Sequence, residues 1–83
     1  MPTVNTRHTL EELSRLGGDI LRQRVQPALR PEDNGKFVAI DVVSGEYELH
    51  EDDYTAVARL RARLPQADIW LERAGFPTAY RMG

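Results

Sequence analysis

The sequence predicts a small α+β domain with the element order αββαββ, in which helices pack on one four-stranded mixed sheet. Two pairs of apolar or alternating segments, each joined by a glycine-containing turn, are typical of β-hairpins. A helix with clear start signals separates these hairpins, and an amphipathic helix precedes both. We expect the middle helix to cross one face of the sheet in the usual right-handed sense.

The chain has 83 residues, enough for one domain, and we expect residues 9–83 to form it behind a flexible lead over residues 1–8. With 41% hydrophobic and 29% charged residues, the composition is that of an ordinary folded chain. The absence of cysteine excludes disulfides, thiolate metal ligands and cysteine nucleophiles. Because no apolar run could span a membrane and no secretory signal is recognisable, we expect a cytoplasmic protein without membrane contact.

The first helix is predicted from residue 9 to about residue 25. Thr9 and Glu12 have the spacing of a capping box, in which each side chain bonds the other residue's backbone amide. Apolar residues then recur at helical spacing, namely Leu10, Leu13, Leu16, Ile20 and Leu21. Gly17-Gly18 interrupts this pattern. Either the helix breaks there or the glycines let another backbone come close, and we expect one helix that is weakened in its middle.

Two prolines are predicted to end this helix. Pro27 and Pro31 each disfavour the helical conformation in the preceding residue, which is Gln26 or Arg30. A polar turn over residues 31–35 then leads to the first hairpin.

The first hairpin combines two different strand patterns. A short apolar run indicates a strand buried on both faces, and it consists of Phe37, Val38, Ala39, Ile40 and Val42. Residues 46–50 alternate strictly between polar and apolar, which indicates a strand with one solvent-exposed face and one buried face. Gly45 can adopt the positive φ that the tight connection requires.

The second helix follows a cluster of three acids, which can cap free amides and meet the positive end of the helix dipole: Glu51, Asp52 and Asp53. Its apolar face contains Ala56, Val57, Leu60 and Leu64, and Pro65 ends it. Residues 67–73 then predict a third strand with Ile69, Leu71 and Arg73 on one face and with Trp70 and Glu72 on the other. A turn over residues 74–77 leads to a fourth strand over residues 78–82.

Charge is distributed unevenly along the chain. The net charge of −2 divides into +2 over residues 1–30, −7 over residues 31–53 and +3 over residues 54–83. Ten of the eleven basic residues are arginine. Arginine pairs bidentately with carboxylates and phosphates, so this bias suits a protein interface or RNA, although a GC-rich genome produces the same bias without any function.

No set of residues in the sequence indicates a particular catalysed reaction. His50 precedes three acids and superficially resembles a metal cluster, but this segment is better interpreted as the start of a helix. Asp41 and Ser44 lie near a turn with no histidine placed to activate the serine, so we interpret them as a strand end and a turn. We therefore predict that the chain is not an enzyme and carries no cofactor or metal.

Two segments resemble a family of short uncharacterised bacterial proteins that is common in cyanobacteria: GKFVAIDVVSGEYELHEDD and RLRARLPQADIWLERAGFPTAYRMG. The resemblance extends from Leu10 to the C-terminus. Family members are often encoded beside a small retroviral-type aspartic protease, which implies a toxin–antitoxin-like pair of genes. The resemblance implies no catalytic residues. Where members have a continuous first helix, this chain has Gly17-Gly18.

We therefore expect a non-enzymatic protein-interaction module, antitoxin-like or regulatory, that binds a protein encoded nearby and forms a homodimer. We expect the first helix to pack across the dimer or onto the partner rather than solely on its own sheet. The predicted interface residues are Leu10, Leu13, Leu16, Ile20, Leu21, Trp70 and Tyr80.

The alternative is a small RNA- or DNA-binding regulator that uses an arginine-rich face. Trp70 and Tyr80 would then be available for base stacking. In a purely structural interpretation, Arg59 and Arg63 form a solvated helix face that pairs with Glu46 or Glu48. The arginines predicted to contact nucleic acid are Arg59, Arg61, Arg63, Arg73 and Arg81.

Overall fold

The computed structural model describes residues 8–75, which form an α+β domain, as predicted. The main elements are α1 (Leu10–Ile20), β1 (Phe37–Asp41), β2 (Tyr47–His50), α2 (Asp53–Arg63) and β3 (Ile69–Arg73). One π-helical turn, Leu21–Val25, continues α1, and two 3₁₀ turns follow at Gln26–Ala28 and Pro31–Asp33. None of the helices within residues 8–75 is long and apolar enough to cross a membrane.

Within residues 8–75 the sheet has three strands in the order β2-β1-β3, and both pairings are antiparallel. The prediction of a mixed sheet is therefore wrong for the described strands. The reason is that α2 carries the chain from β2 at one edge to β3 at the other, so the two parallel strands are separated by β1 and never pair. The predicted fourth strand, residues 78–82, lies outside the described residues.

The central strand β1 is buried on both faces, as its apolar run predicts. On one face, Val38 and Ile40 pack with Leu21 and Val25 of the helical segment that follows α1. On the other face, Ala39 packs with two residues of α2, Ala56 and Leu60. The two helices therefore cover opposite faces of the sheet, and β1 is the layer between them.

Helix α1 begins at the predicted capping box and continues unbroken through Gly17-Gly18. The Thr9 hydroxyl accepts from the Glu12 N–H at 3.1 Å, while the Glu12 carboxylate accepts from the Thr9 N–H at 2.9 Å. Gly17 lies against the indole of Trp70, where a Cβ atom would overlap the ring. The glycine therefore admits a side chain of β3, which differs from both predicted alternatives, a helix break and the close approach of another backbone.

The prolines after α1 act differently from each other. Arg30 is extended before Pro31, with φ −107° and ψ 164°, as predicted. Gln26 keeps helical angles before Pro27, with φ −55° and ψ −44°, so that prediction is wrong. The helix widens into a π-turn just before Pro27. In a regular α-helix a proline ring collides with the carbonyl four residues back, and a wider turn relieves this collision.

The first helical segment packs on its own sheet, and its additional packing across a dimer or onto a partner stays a prediction. Val25 is completely buried and Leu21 is 7% exposed, both in the core with Val38 and Ile40. The physical reason is that α2 covers only one face of β1. The other face consists of apolar side chains that would remain exposed to water without this segment.

The contact between Gly17 and Trp70 predicts opposite effects for two neighbouring substitutions. Gly17→Ala should lower the free energy of unfolding by about 1–2 kcal/mol, because the overlap with the indole outweighs the gain in helix propensity. Gly18→Ala is the matched control. The nearest atom to its new methyl group is Arg22 Nη1 at 3.6 Å, so it should stabilise the protein by up to about 1 kcal/mol. Urea unfolding followed by circular dichroism measures both, and equal effects would contradict this packing.

Candidate functional site

The turn after β1 is organised by one carboxylate. Asp41 accepts hydrogen bonds from the N–H of Val43 at 3.2 Å and from the N–H and hydroxyl of Ser44 at 3.3 and 2.8 Å. It also accepts from the N–H of Asp68, just before β3, at 3.0 Å. Gly45 has φ +83° and donates its N–H to the Asp41 carbonyl at 2.8 Å. Asp41 thus ends a strand and residues 44–45 turn the chain, as predicted.

The environment of Asp41 keeps this carboxyl ionised. Burial acts to raise its pKa, but the hydrogen bonds from the Asp68 N–H, Ser44 and the Val43 N–H outweigh burial and leave the pKa below the ordinary value. A carboxylate that accepts four hydrogen bonds has little capacity left to take a proton from a substrate. The arrangement of Asp41 and Ser44 therefore suits a structural role.

A second buried carboxylate, Asp68, lies beside this turn. His8 Nδ1 and Asp68 Oδ2 are 2.7 Å apart, which ties the residue before the α1 cap to the start of β3. The Asp68 carbonyl accepts from the Val42 N–H at 3.1 Å, so the same residue also extends the β1–β3 pairing. Sequence reasoning missed the His8–Asp68 contact. The two residues are 60 positions apart, and neither stands in a recognisable motif.

One of the acids at the start of α2, Asp52, caps the helix, as predicted. Asp52 accepts from the N–H and hydroxyl of Thr55 at 2.9 and 2.7 Å, and the hydroxyl bond is the main cause of its lowered pKa. His50 Nδ1 accepts from the Asp52 N–H at 2.9 Å. Among residues 8–75, no group of three or more histidine, aspartate or glutamate side chains is placed to hold a metal ion.

Most of the predicted nucleic-acid residues that the structure describes make contacts inside the domain. Arg61 donates to the Ala67 carbonyl at 2.8 Å, and the Arg73 guanidinium lies 4.7 Å from the centre of the Phe37 ring. Arg59 is exposed on α2, and Arg81 lies outside the described residues. Phosphate binding through Arg61 or Arg73 would therefore compete with a contact inside the domain.

Arg63 makes the densest set of these contacts. Its guanidinium pairs with Glu46 at 3.1 Å and with Glu48 at 2.9 Å, which confirms the predicted pairing for this residue. It also donates to the Tyr47 carbonyl at 3.2 Å. The hydrogen bond to Glu46 is the largest cause that raises the pKa of Arg63. Arg63 thus links the end of α2 to β2 through two side chains and one backbone group.

The predicted protein-interface residues do not form one exposed surface. Leu13 and Leu21 are buried, whereas Leu16 and Ile20 are half-buried. Of the predicted interface residues within 8–75, only Leu10 is mainly exposed, at 73%. Trp70 is half-buried against Gly17, with its indole N–H donating to Glu72 at 2.8 Å, and Tyr80 lies outside the described residues.

Two other large apolar side chains are exposed in the part of the chain that the structure describes. Val43 is 60% exposed in the turn after β1, and Tyr54 is 78% exposed at the start of α2. Sequence reasoning missed both. The available signal for Val43 was its position just beyond the end of a buried strand, next to the turn residues.

The outer edge of β2 is the most distinctive surface feature. Asp41 donates its N–H to the Glu46 carbonyl at 2.9 Å, so these two residues form a hydrogen-bonded pair of the β1–β2 ladder. In an antiparallel ladder such pairs recur at every second residue. Glu48 then bonds to β1 through its backbone, whereas Tyr47 and Leu49 direct their N–H and C=O groups away from it. The bond from Arg63 to the Tyr47 carbonyl agrees with this alternation. Within residues 8–75 no strand pairs with this edge.

A shallow cleft of about 280 Å³ lies at the turn end of the sheet, lined by Asp41, Val43 and Arg63 together with the loop that joins α2 to β3. In this cleft the Asp41 carboxylate accepts four hydrogen bonds, and the Arg63 guanidinium pairs with two glutamates. The cleft therefore brings no reactive groups together. We interpret it as a surface depression beside the Asp41 turn.

Comparisons with protein-family models, with curated proteins and with solved structures find no match to this chain. The resemblance to short cyanobacterial proteins therefore stays a prediction. We infer function from the surfaces of the chain itself, and the edge of β2 is the strongest of them.

The lowered aspartate pKa values predict how stability depends on pH. The pKa values of Asp33, Asp41 and Asp52 lie below the ordinary value of 3.8, in Asp33 mainly because of the Lys36 hydrogen bond. The stability that they contribute is fully present above the unfolded pKa and is lost as pH falls through the folded values. The free energy of unfolding should therefore be nearly constant from about pH 7 to about pH 5 and fall below about pH 4.

Asp41→Asn tests the structural role of this carboxylate. Because the charged acceptor is lost, the variant should be less stable by about 2 kcal/mol at neutral pH, and its stability should fall less in acid. Glu51→Gln removes an equal charge from an exposed side chain and should change little. Urea unfolding at several pH values measures both variants. An Asp41→Asn protein as stable as the Glu51→Gln control would contradict this role.

Proposed function

We propose that the chain is a non-enzymatic protein-interaction module of the cytoplasm, an antitoxin-like or regulatory partner of a protein encoded nearby. The open edge of β2 carries this proposal. Tyr47 and Leu49 direct backbone donors and acceptors away from the sheet, and only the Arg63 side chain contacts them among residues 8–75. A strand edge of this kind is a template for a strand from another chain.

The chemistry of the buried polar groups also supports an interaction module. Asp33, Asp41 and Asp68 are all buried, and each is hydrogen-bonded within the domain. These contacts close turns or join elements, so the groups that could otherwise act on a substrate are already engaged in the fold. The exposed Leu10 adds apolar surface at the start of α1.

The proposal includes the fourth strand that the sequence predicts over residues 78–82. A short hairpin connection after β3 would place it beside β3, at the edge of the sheet opposite β2. The edge of β2 would then stay available in the complete αββαββ domain.

The alternative is an RNA- or DNA-binding regulator that uses the arginines on the α2 side. The contacts of Arg61, Arg63 and Arg73 inside the domain count against it, because they hold these guanidinium groups against the domain and because two glutamates offset the charge of Arg63. The net negative charge of the chain also opposes binding to a polyanion.

Co-expression with the protein encoded beside it tests the proposed function. We expect the tagged chain to retain this protein, at fixed stoichiometry in size-exclusion chromatography, after nuclease treatment and washing with about 0.5 M salt. Contacts with phosphates weaken steeply under such salt. Failure to retain the neighbouring protein would contradict the proposal. If nucleic acid co-purifies with the tagged chain, and nuclease treatment removes the neighbouring protein together with it, the result would favour the alternative.

The homodimer is a separate part of the proposal. Leu10 is the exposed end of an apolar stripe, so we expect a dimer of twice 9.5 kDa in sedimentation velocity, and Leu10→Asp should shift it towards monomer. Tyr54→Ser is the matched control, because Tyr54 is equally exposed at the start of the other helix. A wild-type monomer throughout the micromolar range would contradict the dimer.

A further inference from the structure

We propose that the open edge of β2 binds an extended segment of a partner protein in which basic and apolar residues alternate, and that Arg63 occupies this site until the partner displaces it. This inference rests on the proposed function and specifies the chemistry of the partner. It follows from three features of the edge, namely its backbone, its two faces and the contacts of Arg63.

The backbone of the edge is ready to pair. Tyr47 and Leu49 each direct one N–H donor and one C=O acceptor outward, two residues apart. A strand placed about 4.8 Å away can bond both residues, since this is the usual spacing of neighbouring strands. Four backbone hydrogen bonds would then hold the partner without any requirement on its sequence.

The two faces of the edge differ in chemistry, and this difference selects the sequence of the partner. Tyr47 and Leu49 point to the α1 side, where both are half-buried against the core. Glu48 points to the α2 side, and Glu46 joins it there through their common contact with Arg63. Side chains of an added strand also alternate between the faces. The partner therefore places apolar residues beside Tyr47 and Leu49, and basic residues beside the glutamates.

Arg63 already makes the contacts that such a partner would make. Its guanidinium donates to the outward Tyr47 carbonyl at 3.2 Å, as a backbone N–H of an added strand would. The same group pairs with Glu46 and Glu48, as a basic side chain of that strand would. The Arg63 side chain is 44% exposed, so it can turn into solvent without disturbing the core. It therefore competes with the partner for the same atoms.

Charge favours a basic partner over a second copy of this chain at the same edge. Pairing two β2 edges would bring together two segments that each hold five acids: Glu46, Glu48, Glu51, Asp52 and Asp53. Arg63 would be the nearby counter-charge on each side. Like charges placed opposite each other destabilise a strand pair, whereas a basic strand gains from Glu46 and Glu48, the carboxylates that Arg63 contacts at this edge.

A peptide-binding experiment on the full chain tests the proposal. The probe is a fluorescein-labelled peptide of about seven residues in which lysine and valine alternate, long enough to match a natural strand. We expect saturable binding by fluorescence anisotropy. Glu48→Lys should weaken it by about tenfold or more, because an attraction becomes a repulsion. Arg63→Ala should strengthen it severalfold, because the competing guanidinium is gone.

Substitutions at Leu49 separate the backbone from the side chain. Leu49→Pro removes the outward N–H, which is not used in the pairing with β1, and proline is tolerated at edge positions of this kind. It should abolish binding, while Leu49→Ala should keep most of it. If Leu49→Pro does not fold by circular dichroism, an N-methylated peptide tests the other backbone bonds of the same edge, which the peptide N–H groups donate to the Tyr47 and Leu49 carbonyls. This peptide should not bind.

Three results would overturn this inference: no binding of the peptide, equal binding by the wild type and Glu48→Lys, or weaker binding by Arg63→Ala. If the neighbouring protein is still retained in co-expression, the proposed function stands and only the β2 site is wrong. If the neighbouring protein is not retained either, both proposals fail.

Discussion

The structure depends on covering β1 on both faces. The strand alternates Val38 and Ile40 on one side with Ala39 on the other, and all three are completely buried. The small Ala39 meets Ala56 of α2, and small side chains let a helix lie close to a sheet. The larger Val38 and Ile40 require the segment after α1 as their cover. Neither α2 nor the segment after α1 can be removed without exposing one face of this strand.

The positions of other residues follow from these two helices. Because α1 lies over β3, the residue opposite Trp70 must be glycine, and Gly17 meets this requirement. Because α2 ends beside β2, Arg63 reaches Glu46, Glu48 and the Tyr47 carbonyl. A charged side chain on a strand edge is a common protection against non-specific pairing. Arg63 is such a side chain, and in the proposed partner binding it gives way to the added strand.

Local signals in the sequence predicted the features that depend on near neighbours. The capping box, the Asp52 cap, the positive φ of Gly45 and the alternating faces of β3 each depend on residues a few positions apart. The pairing of Arg63 with the glutamates was also predictable, because a hairpin that runs directly into a helix keeps them close. The pattern of β1 predicted burial on both faces, although it did not specify which elements cover it.

Features that depend on the order of the strands could not be predicted in this way. Periodicity gives the faces of a strand but not its neighbours, so the open edge of β2 became visible only with the order β2-β1-β3. The same limit hid the His8–Asp68 contact, which joins distant parts of the chain. It also hid the partner of Gly17: a glycine in a helix indicates a close approach, but the approaching Trp70 belongs to β3.

Amide hydrogen exchange by NMR tests the central claim, an open edge on β2, most directly. Exchange rates of single amides report which backbone groups are protected in the native state. In dilute protein, the Glu48 amide should be protected because it donates to β1, while the neighbouring Leu49 amide should exchange at least about tenfold faster. A Leu49 amide as strongly protected as that of Glu48 would show that the edge is already covered, and would contradict the account.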